Sequence, residues 1–150
     1  MSRVVVDSSL AIKWIFVEDW SAEAISQLRD WIDQGTERIV PSWFMCELAN
    51  VMFQRVRDRL LSLREAQDNL RDIVRFVHIL DAEPAVSVRA LKVARDLAQR
   101  ASYDAHYVAL ADQIGCELWT ADARFWNAAS PTFPFVKWLG TIALHPASTS

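Results

Sequence analysis

The sequence predicts an α/β fold with a mostly parallel central sheet covered by helices on both faces. Short β-branched runs alternate with segments whose apolar residues recur at three- and four-residue steps, the pattern of strands alternating with amphipathic helices. Most of these strands lead into a helix, and such connections are typical of parallel sheets. The 150 residues, of which 52% are hydrophobic, are enough for one core. We therefore expect a single domain over residues 1–143 and a polar tail over 144–150.

The ends of the predicted elements are marked by Gly, Pro and capping side chains. Gly35 and Gly115 follow periodic segments and are expected to end helices, whereas Pro84 is expected to begin one. Ser42, Ser62 and Ser102 are placed to start helices. Residues 78–80 allow either a strand or a helix end. The predicted elements are a strand at 4–6, helices at 10–16 and 22–32, a strand at 37–40, helices at 43–57, 62–77, 84–97 and 103–114, a strand at 116–119, a short helix from 120 and a strand at 135–138.

Apolar periodicity and composition make further predictions about burial and location. Val88 and Leu91 are expected on the buried side of their helix. Cys46 and Cys116 lie in separate apolar segments, and the three histidines form no spaced ligand set with them, so we expect buried free thiols and neither zinc nor a disulfide. The sequence shows no membrane span and no secretory signal, so we expect a cytoplasmic protein. A net charge of −3 argues against binding nucleic acid through bulk positive charge.

Four acidic residues stand where ligands bind in parallel sheets. Such sheets bind ligands just beyond the carboxyl ends of their strands. Asp7 and Asp122 each follow a predicted strand, and Glu47 lies two turns into the helix after another. Asp104 lies in the first turn of its helix, where the helix dipole favours an ionised carboxylate. All four are therefore candidates for one crevice.

Each of these acids also has a purely structural interpretation. Asp7 and Asp122 are placed to cap helices, and Asp104 would interact favourably with a helix dipole without any further role. Glu47 is harder to explain in this way. Its helical neighbours, such as Phe44, are expected to face the core, and a buried acid needs a partner or a metal.

A cluster of carboxylates requires a positive charge nearby. Arg124 is the one cationic residue beside any of these acids at motif spacing. Oxygen ligands without His or Cys favour hard divalent cations, so the cluster indicates Mg²⁺ or Mn²⁺. Such a site suits hydrolysis of a phosphodiester, in which the metal activates water and stabilises charge on the phosphoryl oxygens.

Four segments resemble the PIN-domain nucleases, in particular the VapC-type toxin ribonucleases of bacterial toxin–antitoxin pairs. The segments are VVVDSS at residues 4–9, PSWFMCELANV at 41–51, SYDAHYVALA at 102–111 and LWTADARF at 118–125. Each segment contains one of the four acids, and together they extend over nearly the whole chain.

This resemblance implies a three-layer α/β/α sandwich and a Mg²⁺- or Mn²⁺-dependent endoribonuclease. Asp7 and Asp104 would be the direct metal ligands. Glu47 and Asp122 would complete the catalytic pocket by binding a second ion or ordering the attacking water. All four acids are thus expected to be catalytic.

Four residues beside the acids also bear on the resemblance. Ser8 and Thr120 match hydroxyl positions that orient water or metal in the family, although Ser8 is also a good helix-start residue. Ala123 departs from the family pattern, because relatives often carry a basic residue there. Arg124 is therefore the nearest phosphate contact that the sequence offers.

Two clusters of side chains are candidates for partner surfaces. Arginines crowd the join between two predicted helices and could steer RNA, although interspersed acids make a solvated helix face the first expectation. These are Arg55, Arg57, Arg59, Arg64, Arg71 and Arg75. Tryptophans in the N-terminal third fall where relatives dimerise and bind their antitoxin, with core filling as the alternative. These are Trp14, Trp20, Trp31 and Trp43.

The sequence thus favours a toxin of a toxin–antitoxin pair, an endoribonuclease that cleaves RNA, forms a homodimer and binds a cognate antitoxin. One alternative is a non-catalytic PIN-like module that binds RNA or protein, which a missing acid would indicate. Another is a phosphotransfer protein of the receiver or phosphatase type. Such a protein needs a lysine late in the chain, but Lys92 and Lys137 lack the flanking pattern. No membrane partner is expected.

Overall fold

The computed structural model of the chain describes residues 2–98 and 103–144. These ranges contain five strands, eight α-helices and two 3-10 turns. The strands are β1 (Arg3–Val6), β2 (Glu37–Pro41), β3 (His78–Leu80), β4 (Glu117–Thr120) and β5 (Val136–Trp138). The helices are α1 (Ser8–Ala11), α2 (Ser21–Asp33), α3 (Phe44–Arg57), α4 (Leu63–Ile73), α5 (Ala85–Asp96), α6 (Tyr103–Ile114), α7 (Ala123–Ala129) and α8 (Gly140–Leu144). The 3-10 turns are Ile12–Trp14 and Val74–Phe76.

The strands form one sheet in the order β3-β2-β1-β4-β5. Every neighbouring pair in this order is parallel. All five carboxyl ends therefore lie along the same edge, and β1 is at the centre with β4 beside it. The predicted α/β class is confirmed.

Alternation of side chains along the strands divides the core between the two faces of the sheet. Val5 on β1 packs in a cluster with residues of α5, α6 and α7. Val4 and Val6, its neighbours, pack on the opposite face with residues of α1, α2 and α3. Because successive side chains of a strand point to opposite faces, a run of β-branched residues suits a strand covered on both sides. The three-layer sandwich predicted from the sequence is confirmed.

Several predicted helix ends show the expected capping residues and glycines. Asp7 caps α1 through its side chain, and Ser62 forms a reciprocal capping box with Glu65 at the start of α4. Gly35 and Gly115 follow α2 and α6 with φ of +67° and +76°, the left-handed region that glycine adopts without strain. Residues 78–80 form a strand.

Other boundaries differ from prediction. The helix predicted at 10–16 is α1 followed by a 3-10 turn, and the helix predicted at 62–77 ends at Ile73. Ser42 does not cap α3, because Trp43 occupies the N-cap position and makes no side-chain cap bond. Helix α8 was not predicted, since its five residues are too few for a periodic pattern. The predicted cap Ser102 and residues 145–150 of the predicted tail lie outside the described residues.

Burial corrects two predictions about side chains. Val88 and Leu91 are 70% and 69% exposed, because α5 packs against the molecule through an adjacent stripe that includes Val86 and Ala90. Cys46 is exposed rather than buried. In a helix that is apolar on more than one side, periodicity does not decide which stripe faces the core.

The tryptophans mainly fill the core. Trp31 is buried, and Trp14, Trp20 and Trp43 are half-buried. The ring of Trp138 stacks on Trp126 at a centroid distance of 5.3 Å and meets Trp20 edge-on at 6.0 Å. A Cβ at Gly140 would overlap the ring of Trp138. Core filling therefore explains the N-terminal tryptophans better than an exposed interface.

No helix within the described ranges is both long enough and apolar enough to cross a lipid bilayer.

Candidate active site

Asp7 and Asp122 lie at the ends of adjacent parallel strands. The register pairs Val6 with Trp119, and the backbone N–H of Asp7 donates to the carbonyl of Trp119 at 3.2 Å. Asp7 follows β1 directly, and Asp122 lies two residues after β4. The topology therefore brings these two acids to the same edge of the sheet.

Asp7 is a desolvated carboxyl group. Its side chain is 6% exposed, and its Oδ1 accepts from the Leu10 backbone N–H at 3.1 Å and from Ser9 Oγ at 2.7 Å. Burial raises the pKa of Asp7 from 3.8 to about 7, although hydrogen bonds from Thr120, Ser9 and Leu10 act to lower it. The charge of Asp104 raises the pKa further. Asp7 is thus both a helix cap and a buried acid beside another acid.

Glu47 is held by two hydroxyl donors from other elements. Ser8 Oγ donates to its Oε2 at 2.9 Å, and Tyr107 Oη donates to its Oε1 at 3.0 Å. Burial and the charge of Glu47 raise the pKa of Tyr107 above its ordinary value, so the phenol remains a donor. This arrangement explains how an acid can lie beside the buried residues Phe44 and Leu48 of α3.

Asp104 interacts electrostatically with each of the other three acids. It lies in the first turn of α6 and retains contact with solvent. Desolvation raises its pKa most, followed by the charges of Asp122 and Glu47. The charge of Asp104 in turn raises the pKa of Asp7. The four predicted site residues therefore share one electrostatic environment.

Ser9 and Thr120 connect the ends of β1 and β4. The two hydroxyl oxygens are 3.2 Å apart, and Ser9 Oγ also accepts from the backbone N–H of Ala121 at 3.1 Å. Thr120 Oγ1 accepts from the backbone N–H of Asp122 at 3.0 Å. Asp122 then accepts from Arg124 N and Phe125 N and caps α7. Hydroxyl groups thus fix the turns that carry two of the acids.

The donor set suits a hard divalent cation. It consists of carboxylates, and the described partners of those carboxylates are hydroxyl and backbone N–H groups, with no thiol or imidazole. Repulsion among such carboxylates is relieved by a hard cation with oxygen ligands. Among the residues described, however, no three His, Cys, Asp or Glu side chains are arranged to hold a metal ion between them. The donor chemistry fits a metal, but a ligand set is not assembled.

Lys13, Tyr107 and Ser9 were not among the site residues that the sequence predicted. Lys13 lines a cavity of about 440 Å³ together with Ser8 and Asp122, among other residues. Its Nζ pairs with Glu18 at 3.2 Å. The sequence did not predict this placement, because it indicated a single helix at 10–16. Lys13 instead lies in the 3-10 turn that follows α1. It nevertheless places a cation on the same cavity as Asp122.

The arginine cluster has acidic partners along much of its length. Arg57, Arg71 and Arg75 pair with the nearby acids Asp58, Asp68 and Asp72, respectively. Arg55 instead pairs with Glu18 at 3.6 Å and lies over the ring of Phe16, 3.9 Å from its centroid. These pairs favour the solvated helix face over a dedicated arm for RNA.

A family model described as the PIN domain matches residues 4–130. The chain belongs to the PIN domain family. The match contains all four acids, and it disfavours a receiver or phosphatase-type protein. No curated protein sequence matches the chain.

Solved structures with low sequence identity share the fold of this PIN domain. PAE2754 from Pyrobaculum aerophilum is 17% identical with a TM-score of 0.69, covering 99% of this chain and 98% of its own. VapBC2 from Rickettsia felis, bound to a DNA fragment from its promoter, is 12% identical with a TM-score of 0.68, covering 91% and 96%. A toxin–antitoxin complex from Klebsiella pneumoniae is 16% identical with a TM-score of 0.63, covering 91% and 97%.

Proposed function

We propose that this PIN-domain protein is a metal-dependent endoribonuclease that hydrolyses RNA phosphodiester bonds. The observation that carries the proposal is the placement of Asp7 and Asp122 at the carboxyl ends of adjacent strands, with Glu47 hydrogen-bonded to Ser8, the residue after Asp7. Asp104 is close enough for its charge to raise the pKa of Asp7. Carboxylates gathered in this way are suited to Mg²⁺ or Mn²⁺. Membership of the PIN family supports the same assignment.

In this proposal Asp7 and Asp104 hold the metal, and Glu47 and Asp122 complete the catalytic pocket. A bound divalent ion would lower the pKa of water and stabilise charge on the phosphoryl oxygens. Glu47 is fixed by hydrogen bonds from Ser8 and Tyr107, so its carboxylate is oriented to accept a proton or to order water. Asp122 adds negative charge at the mouth of the crevice.

A further part of the proposal is that the protein is the toxin of a toxin–antitoxin pair. Two of the structures that share its fold are VapBC2 from Rickettsia felis and a toxin–antitoxin complex from Klebsiella pneumoniae. A cognate antitoxin, a homodimer and a cytoplasmic location follow as proposals of the same kind. Apolar side chains suited to protein contacts are exposed at the α3–α4 hairpin, where Phe53, Leu60 and Leu63 are each more than 60% exposed.

The test is a cleavage assay on total RNA with the purified full-length chain. Separate reactions contain Mg²⁺, Mn²⁺ or EDTA, and the cut ends are mapped by sequencing. We expect cleavage with either metal and none with EDTA. Asp104→Asn should abolish cleavage and leave the circular dichroism spectrum unchanged, because it alters the charge of the pocket without changing side-chain volume.

Asp112→Asn is a matched control for this assay. Asp112 is an exposed residue of the same helix, and it pairs with Arg89 outside the acidic crevice. The control should cut at the wild-type rate. Retained cleavage in Asp104→Asn, or equal loss in both variants, would contradict the proposed site.

A second candidate function is binding of RNA or protein without catalysis. The observation in its favour is that the described residues do not assemble a three-ligand metal set. On this alternative, the wild-type chain binds RNA in a gel-shift assay but leaves it uncut with both metals. Cleavage by the wild-type chain together with its loss in Asp104→Asn would exclude the alternative.

A further inference from the structure

A largely apolar cavity opens beside Glu47, one of the four acids. It has a volume of about 410 Å³ and is lined by Trp43, Cys46, Glu47 and His106. Trp43 immediately precedes α3, Cys46 and Glu47 lie in the first turns of α3, and His106 lies on α6. The volume falls within the range of pockets that take small organic ligands, roughly 300–1,000 Å³.

Aromatic rings form the walls of this cavity. The rings of Trp43 and His106 meet edge-on with centroids 5.0 Å apart, and the ring of Tyr107 also meets the indole edge-on, at a centroid distance of 6.1 Å. His106 Nε2 and Ser87 Oγ share a hydrogen bond of 3.1 Å. The buried Nε1 of Trp43 has no hydrogen-bond partner among the described residues, so the indole is held by packing alone.

The charge of the lining restricts what the cavity can hold. Among the described residues that line it there is no Lys or Arg, and the acid Glu47 is one of them. An anionic group such as a phosphate would be repelled there. A flat, uncharged ring that presents an apolar face to the indole is the chemistry that this lining accommodates.

Glu47 lines the cavity and is also one of the four acids. Its carboxylate is fixed by hydrogen bonds from Tyr107 and from Ser8, the residue that follows Asp7. A strand of RNA whose phosphate lies at the acids would therefore have a neighbouring base within reach of the cavity. Proteins that recognise single-stranded RNA commonly stack unpaired bases on Trp and His side chains.

We propose that the cavity formed by Trp43, Cys46, Glu47 and His106 binds an unpaired RNA base next to the phosphate held at the acids. The proposal rests on the proposed function, and it adds a recognition subsite to the acidic site. Bases that stack or hydrogen-bond better in this cavity would then be favoured beside the cut.

The first test measures base binding without relying on cleavage. The indole N–H of Trp43 is assigned in a heteronuclear NMR spectrum as the signal that disappears in Trp43→Phe. AMP, GMP, CMP and UMP are then titrated into the full-length chain with Mg²⁺, and ribose 5-phosphate serves as the ligand without a base. We expect the Trp43 signal to shift with at least one nucleotide and not with ribose 5-phosphate. No shift with any nucleotide, or an equal shift with ribose 5-phosphate, would overturn the proposal.

The second test uses a substitution at an exposed residue of the lining to fill the cavity. Cys46 is exposed, so Cys46→Trp should fold normally while placing an indole in the cavity. We expect nucleotide affinity to fall roughly 5- to 100-fold, the range that loss of one stacking contact gives. Any base preference beside mapped cut sites should flatten. Gln54→Trp, which adds the same bulk at an exposed position of the same helix, should change neither measurement.

The outcomes separate this inference from the proposed function. Failure of wild-type protein to cut RNA, with a Trp43 signal that still shifts, refutes the nuclease and leaves the base subsite standing. Efficient cutting with an unchanged Trp43 signal refutes the subsite alone. If Cys46→Trp blocks a protein partner but leaves nucleotide binding intact, the cavity receives a protein side chain and the proposal is wrong.

Discussion

The β1–α1 and β4–α7 junctions share a local design but differ in environment. Each places an aspartate after a parallel strand, and each aspartate caps the next helix through backbone N–H groups. Asp7 is 6% exposed and its pKa is raised to about 7, whereas Asp122 is exposed to solvent. Capping and a place in the acidic site are therefore compatible, and burial is what makes one of these carboxyls chemically unusual.

The largest expected difference between the junctions is catalytic. Asparagine caps helices as well as aspartate, so Asp7→Asn and Asp122→Asn should both keep their caps and lose one negative charge. We expect Asp7→Asn to slow cleavage roughly 10²- to 10³-fold, as for loss of a central electrostatic group. Asp122→Asn should slow it roughly 10- to 100-fold, as for a supporting group. Initial cleavage rates on a fluorescent RNA measure the loss in each variant. A larger loss from Asp122→Asn than from Asp7→Asn would contradict the central role proposed for Asp7.

The next difference concerns stability in the absence of metal. Because the pKa of Asp7 is raised from 3.8 to about 7, the folded state holds a proton that the unfolded state releases. The free energy of unfolding should therefore fall as pH rises between about 4 and 7, by about 4 kcal/mol at most. Urea denaturation in EDTA across this range measures the slope. Asp7→Asn should remove most of it and Asp122→Asn should keep it, so parallel slopes in all three proteins would show that Asp7 does not carry the effect.

Metal addition should also distinguish the two junctions. If Asp7 is a direct ligand, Mg²⁺ at one hundred times its dissociation constant should stabilise the wild-type fold by about 2.7 kcal/mol at neutral pH. Asp7→Asn should lose nearly all of this gain, whereas Asp122→Asn should keep most of it. Thermal unfolding with and without Mg²⁺ measures the effect, and an equal gain in all three proteins would place the ion elsewhere.

The smallest effect concerns the hydroxyl that joins the junctions. Ser9 Oγ donates to Asp7 and accepts from the backbone N–H of Ala121. Ser9→Ala should lower the free energy of unfolding by about 1–2 kcal/mol, because it leaves buried polar groups without a partner. Ser42→Ala, at an exposed position that caps no helix, should change stability by less than about 0.5 kcal/mol. Equal effects in chemical denaturation would mean that Ser9 does not couple the junctions.

The features that the sequence predicted well depend on short-range physics. A β-branched run such as residues 4–6 can be buried on both faces only in a covered sheet. Asp7 and Asp122 cap helices whichever tertiary contacts follow, and Gly35 ends α2 because it adopts a positive φ without strain. The family resemblance then gathered four acids into one expected site, and the structure places them in one electrostatic environment.

The features that the sequence did not predict depend on contacts between distant segments. Nothing local distinguishes Tyr107 from other aromatic residues, yet its hydroxyl reaches Glu47 from a helix 60 positions away in sequence. Lys13, in the 3-10 turn after α1, lines the same cavity as Asp122. The exposure of Val88 and Leu91 follows from which stripe of α5 packs inward, and periodicity in a single helix does not decide this choice.

The contact between Trp138 and Trp20 connects the C-terminal part of the described chain to the start of α2. The backbone at Gly140 passes so close to the Trp138 ring that a side chain there would overlap it. Gly140 therefore helps to fix the position of the ring that packs against Trp20. Any larger residue at position 140 would push that ring aside and disturb α2 at a distance in sequence. Fusion tags or deletions at the C-terminus should therefore begin beyond α8. A chain cut back far enough to disturb Trp138 would lose its contact with Trp20.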